Sequence, residues 1–464
     1  MDTLITGGLV ITENGELHAD LALDGGKIVG IFAPGSLLPE AKNVIDARGL
    51  IIMPGAIDVH THFTGSHDFP EQELREGTQG AAAAGVTTIV EMPHSLPPAT
   101  TLDNFNWKRG LLAENVSVDF AMWAGLDGEN LHQLADLDAA GAIAFKAFLC
   151  SGAPNGEATD LKGLPRLDDD GLLRAMQTLR EFDGLIGIHS ENHAILIAAG
   201  AELRRAGRKD IRAHAQAGPE IAEVEAVNRV LTLAQETGAR CHIVHVSSAR
   251  AAQHIVDARD KARVTFETCP HYLILDEEDL VRIGPNARCG PPIRPRPVVD
   301  ALWSVVLAGD VDMLASDHCP YLPEQKAVGE ESIWEAGMGL TGVETLGPMF
   351  FSEGHIKRGL SLVEFARMTA TGPAKTFGLY PRKGTISIGS DADLAFYHPQ
   401  QSWTVRGEAF YGLGKWSAFE GLPCQGKVVM TLIRGVPVYQ HGKIQVAPGF
   451  GEFITRNTAQ VAQP

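Results

Sequence analysis

The stretch PGAIDVHTHF, residues 54–63, ends an apolar run with two histidines that are two residues apart. Successive side chains of a β-strand point to opposite faces, so His60 and His62 share a face. Two imidazoles with this spacing form a natural pair of metal ligands, although an edge strand with two unrelated histidines would give the same pattern. The rest of the chain has to distinguish these two interpretations.

Further short β-rich runs follow this stretch, and helical patterns separate several of them. Together with the first, the eight runs are AIDVHTH, VTTIVEMP, VDFAMWAG, AIAFKAFL, LIGIHSEN, HIVHVSS, VTFETCPHY and VDMLASDHCP. The helical patterns include DDGLLRAMQTLREF, IAEVEAVNRVLTLAQETG and SARAAQHIVDARDKA, the last with Ser248 as its predicted N-cap. Alternating strands and helices predict a parallel sheet, and eight units predict a (β/α)8 barrel with its chemistry at the carboxyl ends of the strands.

Both ends of the chain differ from this middle part in their predicted secondary structure. They read as short strands joined by turns, in TLITGGLVIT, ADLALDGGKIVGIF, NVIDARGLII, GTISIGSDADLAFY and GKVVMTLIRGVPVYQHGKI. We therefore predict an α/β protein, a (β/α)8 TIM barrel with a small β-sandwich domain built from both termini. The predicted boundaries are 1–52 and 385–464 for the β domain, including a C-terminal tail, and 53–384 for the barrel.

The net charge and the cysteines indicate which partners and which cellular compartment to expect. The formal net charge is -18, from 39 basic and 57 acidic residues, which disfavours nucleic acid or an anionic membrane as a partner because both would be repelled. No apolar stretch reaches about 18 residues, so no membrane span is predicted. The six cysteines form no C-x-x-C pair and the N-terminus has no signal-peptide pattern, which predicts a reduced, cytoplasmic protein.

Polar and ionisable groups stand at the predicted strand ends, where a barrel brings them together. They are His60, His62, Lys146, His189, His245 and Asp317. One or two such groups could be satisfied inside a core, but burying all six requires a strong compensating partner. The sequence therefore predicts a metal centre at the barrel mouth.

Lys146 is the unexpected member of this cluster because an ammonium group repels a metal ion. A buried amine near cations has a lowered pKa and can stay neutral. A neutral amine can add carbon dioxide to give a carbamate, an anion with two oxygens that can bridge two metals. A lysine that reaches the rim for a salt bridge is the alternative, and the apolar frame AIAFKAFL disfavours it.

Other histidines receive different assignments. We expect His242 to lie on the face of its strand opposite to His245 and to pack against a helix, and His193 to begin the helix after the fifth strand. His318 and His271 lie close to the predicted mouth. We expect them to support the ligands or to stand near the substrate without binding metal themselves.

At this point the chain resembles the cyclic amidohydrolases of the amidohydrolase superfamily, which include allantoinases, hydantoinases, dihydropyrimidinases and dihydroorotases. The motifs that carry the resemblance span nearly the whole chain: PGAIDVHTHF, GVTTIVEMP, AFKAF, HSEN, HVSS, ETCPHYL, CGPPIR, SDHCP and KGTISIGSDADL. Within this group, MPHSLPPATT, ETCPHYL and ASDHCPYLPEQK look most like allantoinases and the related L-hydantoinases.

The resemblance implies a centre with two divalent metal ions. His60, His62 and Asp317 would hold one ion, His189 and His245 the other, and Lys146 carboxylated by CO2 would bridge both. Zinc is the usual metal of such sites, although this ligand set also accepts cobalt, manganese, nickel or iron. Asp317 would be the catalytic residue that moves a proton from water to the departing ring nitrogen.

Substrate contacts are also carried over from the resemblance. Backbone groups around Cys289 and Gly290, and in the segment AGMGLTG with Gly337 and Gly339, would hold the ureide ring. Ser151 and His318 complete this candidate set. Glycines suit the task because the backbone can approach a ligand closely, although they could equally be ordinary turns.

The loop after the H-x-H pair helps to predict which substrate ring the protein hydrolyses. Dihydroorotases resemble one another in having an arginine two residues after the second histidine, where it holds the substrate carboxylate, and this chain has Thr64 there. Many allantoinases have EPG shortly after the pair, whereas this chain has GSHD around residues 65–68. We predict a hydrolase of five-membered ureide rings, first allantoin to allantoate, and alternatively 5-substituted hydantoins or dihydropyrimidines.

Two further expectations follow from the family. Some relatives of dihydropyrimidinase keep the fold, lose metal ligands and serve as non-catalytic scaffolds; the filled ligand set argues against that class here. The family commonly forms homotetramers, so an oligomer is expected, with a small cyclic ureide as the other partner.

Overall fold

The middle of the chain forms a parallel β/α barrel. The computed structural model describes residues 1–151 and 164–457. The eight barrel strands pair in chain order and are Ala56–Thr61, Val86–Glu91, Asp119–Gly125, Ala144–Phe148, Leu185–His189, Arg240–Ile243, Val264–Thr268 and Met313–Leu314. A bridge between Thr61 and His318 joins the first strand to the segment after the eighth. All eight predicted strands are thus present, and the predicted barrel is confirmed.

Helices connect these strands and cover the outside of the barrel. They are Pro70–Ala83, Leu102–Asn115, Leu134–Ala139, Asp169–Arg180, His193–Arg205, Ile211–Ala217, Glu220–Thr237, Ala249–Ala258, Pro270–Ile274, Glu277–Ile283, Arg296–Leu307, Pro323–Ala327, Leu346–Phe350, Leu362–Ala366 and Gly372–Thr376. Ser248 caps its helix as predicted, its side chain accepting from the Ala251 N–H. No helix within 1–151 and 164–457 is long and apolar enough to cross a membrane.

Strands from both termini share one nine-stranded sheet. They are Thr3–Thr12, Gly15–Asp24, Lys27–Phe32, Asn43–Asp46, Ile51–Pro54, Leu394–Thr404, Pro423–Ile433, Val436–Gln440 and Lys443–Ile444. The join is the antiparallel pairing of Ile51–Pro54 with Leu394–Thr404. The predicted β domain built from both ends is therefore confirmed. In GTISIGSDADLAFY only the last part is a strand, because residues 384–391 form turns and irregular structure.

Each part has its own apolar core. Inside the barrel, Val59, Trp123 and other apolar side chains fill the space between the strands, and Phe377 and Ile454 extend this cluster. A separate cluster in the β domain combines N-terminal residues such as Leu21 with C-terminal residues such as Phe396. Burying apolar side chains from both termini in one core is what holds the two ends of the chain together.

A buried ion network joins the two parts. The ammonium of Lys383 lies 2.7 Å from Oδ2 of Asp119, on the third barrel strand, and 2.5 Å from Oδ2 of Asp393, which precedes a β-domain strand. All three side chains are almost fully buried. Buried charges are tolerated when they are paired in this way, so the network fixes the β domain against the barrel.

Candidate active site

Three of the predicted ligands meet where the first and eighth strands end. Nε2 of His60 lies 3.2 Å from Nε2 of His62, and these two nitrogens lie 3.2 and 3.4 Å from Oδ1 of Asp317. The backbone positions the cluster directly, since the N–H of His62 donates to the carbonyl of His318 at 2.7 Å. Three ligand atoms so close together can hold a divalent metal ion.

The other two histidines stand beside this cluster. The ring of His245 lies 5.2 Å from that of His60 and 4.6 Å from that of His189, measured between centroids. His245 and Asp317 both have left-handed backbone conformations, with φ of 39° and 49°. Non-glycine residues adopt this conformation at a cost, and such residues concentrate at functional sites.

Carboxylates that the sequence analysis did not identify orient the histidines. Oε1 of Glu267 lies 2.5 Å from Nδ1 of His60, and Oε2 of Glu191 lies 2.8 Å from Nε2 of His189. A carboxylate on one ring nitrogen fixes the imidazole and leaves its other nitrogen for a metal, a common arrangement around metal-binding histidines. Glu267 acts on His60 from a distant strand, whereas Glu191 lies only two residues after His189, in the motif HSEN, and that short spacing could have identified it.

The position predicted for His242 is wrong. Nε2 of His242 lies 3.0 Å from Oε2 of Glu267, and its ring packs on Phe377 of the apolar cluster inside the barrel, with centroids 5.8 Å apart. The strand ends at Ile243, and the left-handed backbone of His245 breaks the two-residue alternation on which the prediction depended. His242 therefore holds Glu267 in place. His193 begins the helix after the fifth strand, as predicted.

Lys146 lies in the middle of the fourth strand and is fully buried. Burial lowers the pKa of its ammonium to about 8. Its Nζ has no hydrogen-bond partner among the described residues, although most buried side-chain polar atoms have at least one. The ammonium lies 4.9 Å from the centre of the Phe148 ring, and an amine without a hydrogen bond beside three side chains that could hold a metal ion fits a site completed by that ion and by modification of the amine.

Charge also shapes the protonation of the cluster. Burial alone would raise the pKa of Asp317, but His60 and His62 hold it at about 2, so the carboxylate is ionised at neutral pH. Burial lowers the pKa of His60 to about 4, which keeps this imidazole neutral. Neutral imidazoles and ionised carboxylates are the forms that bind metal.

One large cavity opens from these side chains to the surface. Of the predicted substrate contacts, Ser151, Gly290 and Gly339 line it. Cys289 and Gly337 are chain neighbours of lining residues, and the Cys289 carbonyl accepts from the ring of His214 at 2.8 Å.

His318 is placed differently from the other candidates. Its Nδ1 accepts from the Gly342 N–H at 3.1 Å, and its ring packs on Phe63; the residue also lines a separate small cavity. This side chain supports the wall, while its carbonyl holds His62. His271, which was expected near the mouth, is buried against Tyr272, and it lies close enough to Asp317 and His60 for their charges to act on its pKa.

Two of the three glycines in AGMGLTG, Gly337 and Gly339, are needed for packing. A Cβ at Gly337 would come within 2.3 Å of Tyr321, and one at Gly339 within 2.5 Å of Cys319. Lys326 ties this segment to the loop before Gly290, because its buried ammonium donates to the carbonyls of Gly337 at 2.8 Å and Arg288 at 3.1 Å. The cavity wall is therefore cross-linked by hydrogen bonds.

A further histidine in the cavity, His94, was not singled out from the sequence. Its ring lies 4.8 Å from that of His62 and 4.9 Å from that of Phe148, and neither nitrogen has a partner among the described residues. Thr64 is tied down beside it, with its hydroxyl 2.9 Å from Oε1 of Glu91 and from the His94 carbonyl. This hydrogen bonding holds the loop after the H-x-H pair against the cavity.

A parallel β/α barrel with histidine, aspartate and lysine side chains at its carboxyl end defines a metal-dependent hydrolase type of site. The model of the amidohydrolase family matches residues 51–438, and the chain belongs to that family. The prediction of an amidohydrolase is confirmed.

Similar proteins support the assignment to this family. An L-hydantoinase of Paenarthrobacter aurescens is 34% identical over 466 residues, covering 100% of both chains. An allantoinase of Salmonella choleraesuis is 36% identical over 460 residues, covering 98% of this chain and 99% of the relative. The solved structure of L-hydantoinase (dihydropyrimidinase) from Arthrobacter aurescens has a TM-score of 0.93 at 34% identity, covering 98% of this chain and 100% of that one.

Proposed function

We propose that this protein is a hydrolase with two metal ions that opens the cyclic amide bond of a five-membered ureide ring, with allantoin as its first substrate and allantoate as the product. The observation that carries the proposal is the cluster of His60, His62 and Asp317 in one open cavity, beside a buried lysine that has no hydrogen-bond partner in the part of the chain that the structure describes. Relatives named allantoinase and L-hydantoinase that match almost the whole chain support it.

The residues fit a pair of divalent ions, for which zinc is our choice. His60, His62 and Asp317 would hold one ion, His189 and His245 the other, and carboxylated Lys146 both. Bound there, the ions would activate a water molecule at neutral pH and polarise the ring carbonyl. Asp317, ionised beside two imidazoles, would take the proton of the attacking water and pass it to the leaving ring nitrogen.

The remaining groups would orient the metal ligands, bind the substrate ring and exclude water from it. Glu267 holds His60, and Glu191 holds His189. Backbone groups near Gly290 and Gly339 would hydrogen-bond the ureide edge. Tight packing around a reacting ring removes competing water and strengthens such bonds.

A second candidate substrate class has a specific observation in its favour. Much of the cavity lining is apolar, in Phe148, Leu196, Ile197, Trp334 and Met338. An apolar wall stabilises an aryl or alkyl arm by about 25 cal/mol per Å² of buried area, whereas the ureido arm of allantoin gains less from it. Hydantoins with apolar 5-substituents are therefore the alternative to allantoin.

A substrate panel tests the proposal. We expect cleavage of allantoin and of 5-substituted hydantoins, and a kcat/KM for dihydroorotate at least about a hundredfold lower, since losing the arginine that dihydroorotases have at the position of Thr64 costs a buried carboxylate several kcal/mol. Thr64 supplies no positive charge where that carboxylate would need one. Asp317→Asn protein, purified in the same way, controls for contaminating activity.

The panel has clear alternative outcomes. Faster hydrolysis of a 5-aryl or 5-alkyl hydantoin than of allantoin would assign the protein as a hydantoinase. A preference for dihydroorotate would overturn the argument from Thr64, and no hydrolysis of any cyclic ureide by metal-loaded protein would overturn the proposed function.

A further inference from the structure

Three side chains at the ends of the fourth and fifth strands form a cluster that the proposed hydrolysis does not fully use. The ligand atoms of Cys150, His189 and Glu191 all lie within 4.8 Å of one another, and all three residues are buried. They also line the same cavity as the candidate active site. Cys150 has no part in the proposed reaction, and Glu191 there only orients His189.

One atom of this cluster points to a missing cation. Oε1 of Glu191 is buried and has no hydrogen-bond partner among the described residues, although the side chain is only 5% exposed. Its other oxygen, Oε2, is 2.8 Å from Nε2 of His189. A buried carboxylate oxygen without a partner is costly, and a bound cation removes that cost.

The donor set determines which cations fit. A thiolate, an imidazole and a carboxylate suit Zn²⁺ and its heavier analogue Cd²⁺, whereas Mg²⁺ and Ca²⁺ prefer oxygen ligands only. Ligand atoms of a tetrahedral zinc site lie about 3.3–3.8 Å apart, as the metal–ligand bond lengths require. Small side-chain rotations would bring the three atoms to this spacing, with the fourth position open to the cavity.

We propose that Cys150, His189 and Glu191 form a separate site for one thiophilic divalent ion, and that an ion bound there competes with the hydrolytic centre for His189. A neutral imidazole binds one ion through one nitrogen, and binding a second ion requires the loss of the remaining ring proton. Excess thiophilic ion would therefore inhibit. The competition rests on the proposed function, in which His189 holds a catalytic ion; the ion site itself does not.

Cd²⁺ titration of the zinc-loaded protein tests the site directly. Cadmium bound by a thiolate gives an ultraviolet charge-transfer absorption that histidine and carboxylate ligands do not give. We expect one such absorbing site per chain in the wild type and in Cys319→Ser, a matched control because Cys319 lines the same cavity. Cys150→Ser should lose the absorption.

Glu191→Gln is a second variant that keeps the thiol. This substitution should weaken Cd²⁺ binding at least about tenfold, since even residues that contact only the ligands of a metal change its affinity by about 10–100-fold when they are mutated. Undiminished absorption in Cys150→Ser, or its absence in the wild type, would overturn the site. Circular dichroism checks that each variant is folded.

Activity measurements test the competition. Cd²⁺ should inhibit hydrolysis of the best panel substrate by the wild type and by Cys319→Ser, and Cys150→Ser should need at least about tenfold more Cd²⁺ for half-inhibition. Equal sensitivity of Cys150→Ser and the wild type would overturn the competition. If no cyclic ureide is hydrolysed, the proposed function fails, and the absorption still decides whether the ion site exists.

Discussion

Asp317→Asn should lower kcat by at least about a thousandfold while the protein stays folded, since general acid–base groups contribute about 10²–10⁴-fold and this carboxylate also binds metal. Oδ1 of Asp317 stands 3.2 Å from Nε2 of His60 and 3.4 Å from Nε2 of His62. An amide can still offer an oxygen to a metal ion, but it cannot accept and release a proton. Steady-state kinetics with the best substrate of the panel measure the effect.

The matched control is Asp310→Asn, at the opposite end of the eighth strand. Asp310 precedes that strand and Asp317 follows it, so the two variants make the same chemical change on the two sides of the barrel. Asp310→Asn should keep a near-normal rate. A near-normal kcat in folded Asp317→Asn would contradict the proposed proton transfer.

Lys146→Ala should lose metal and activity together. The fully buried amine lies among the proposed ligands and makes no hydrogen bond within residues 1–151 and 164–457, and as a carbamate it would contact both ions. We expect the metal content to fall clearly below two ions per chain and kcat to fall at least about a hundredfold, because the ligand shared by both ions is missing. Elemental analysis and kinetics on the same preparation measure the two quantities.

Chemical rescue distinguishes loss of the carbamate from general damage. Acetate or propionate should partly restore turnover of Lys146→Ala by placing a carboxylate where the carbamate would lie. The same acids should not activate the wild type. Full metal content together with a full rate in Lys146→Ala would show that Lys146 has no bridging role.

The barrel could be predicted from sequence because its signals are local. Apolar runs of strand length, helical periodicity between them and a cap such as Ser248 each depend on neighbouring residues. The two-residue spacing of His60 and His62 likewise depends only on the alternation of side chains in a strand. Such patterns can be recognised in a short stretch of sequence without knowledge of the rest of the fold.

The role of Glu267 could not be predicted, since it acts across the fold, whereas Glu191 lies only two residues after His189. Glu267 contacts His60 from a strand 207 positions further along the chain. The error for His242 has a related cause: alternation predicts opposite faces for His242 and His245, but the strand ends between them and the chain turns left-handed. Where the backbone leaves regular geometry at a functional site, periodicity no longer applies.

The central claim is that the barrel mouth hydrolyses a cyclic ureide with two divalent ions. The most direct test removes metal with a chelator and then titrates Zn²⁺ back in the presence of bicarbonate, while ring opening of allantoin or a 5-substituted hydantoin is followed. We predict that the metal-free protein is inactive and that the rate reaches its maximum at about two ions per chain. Full activity in the metal-free protein, or a maximum at a single ion, would contradict the claim.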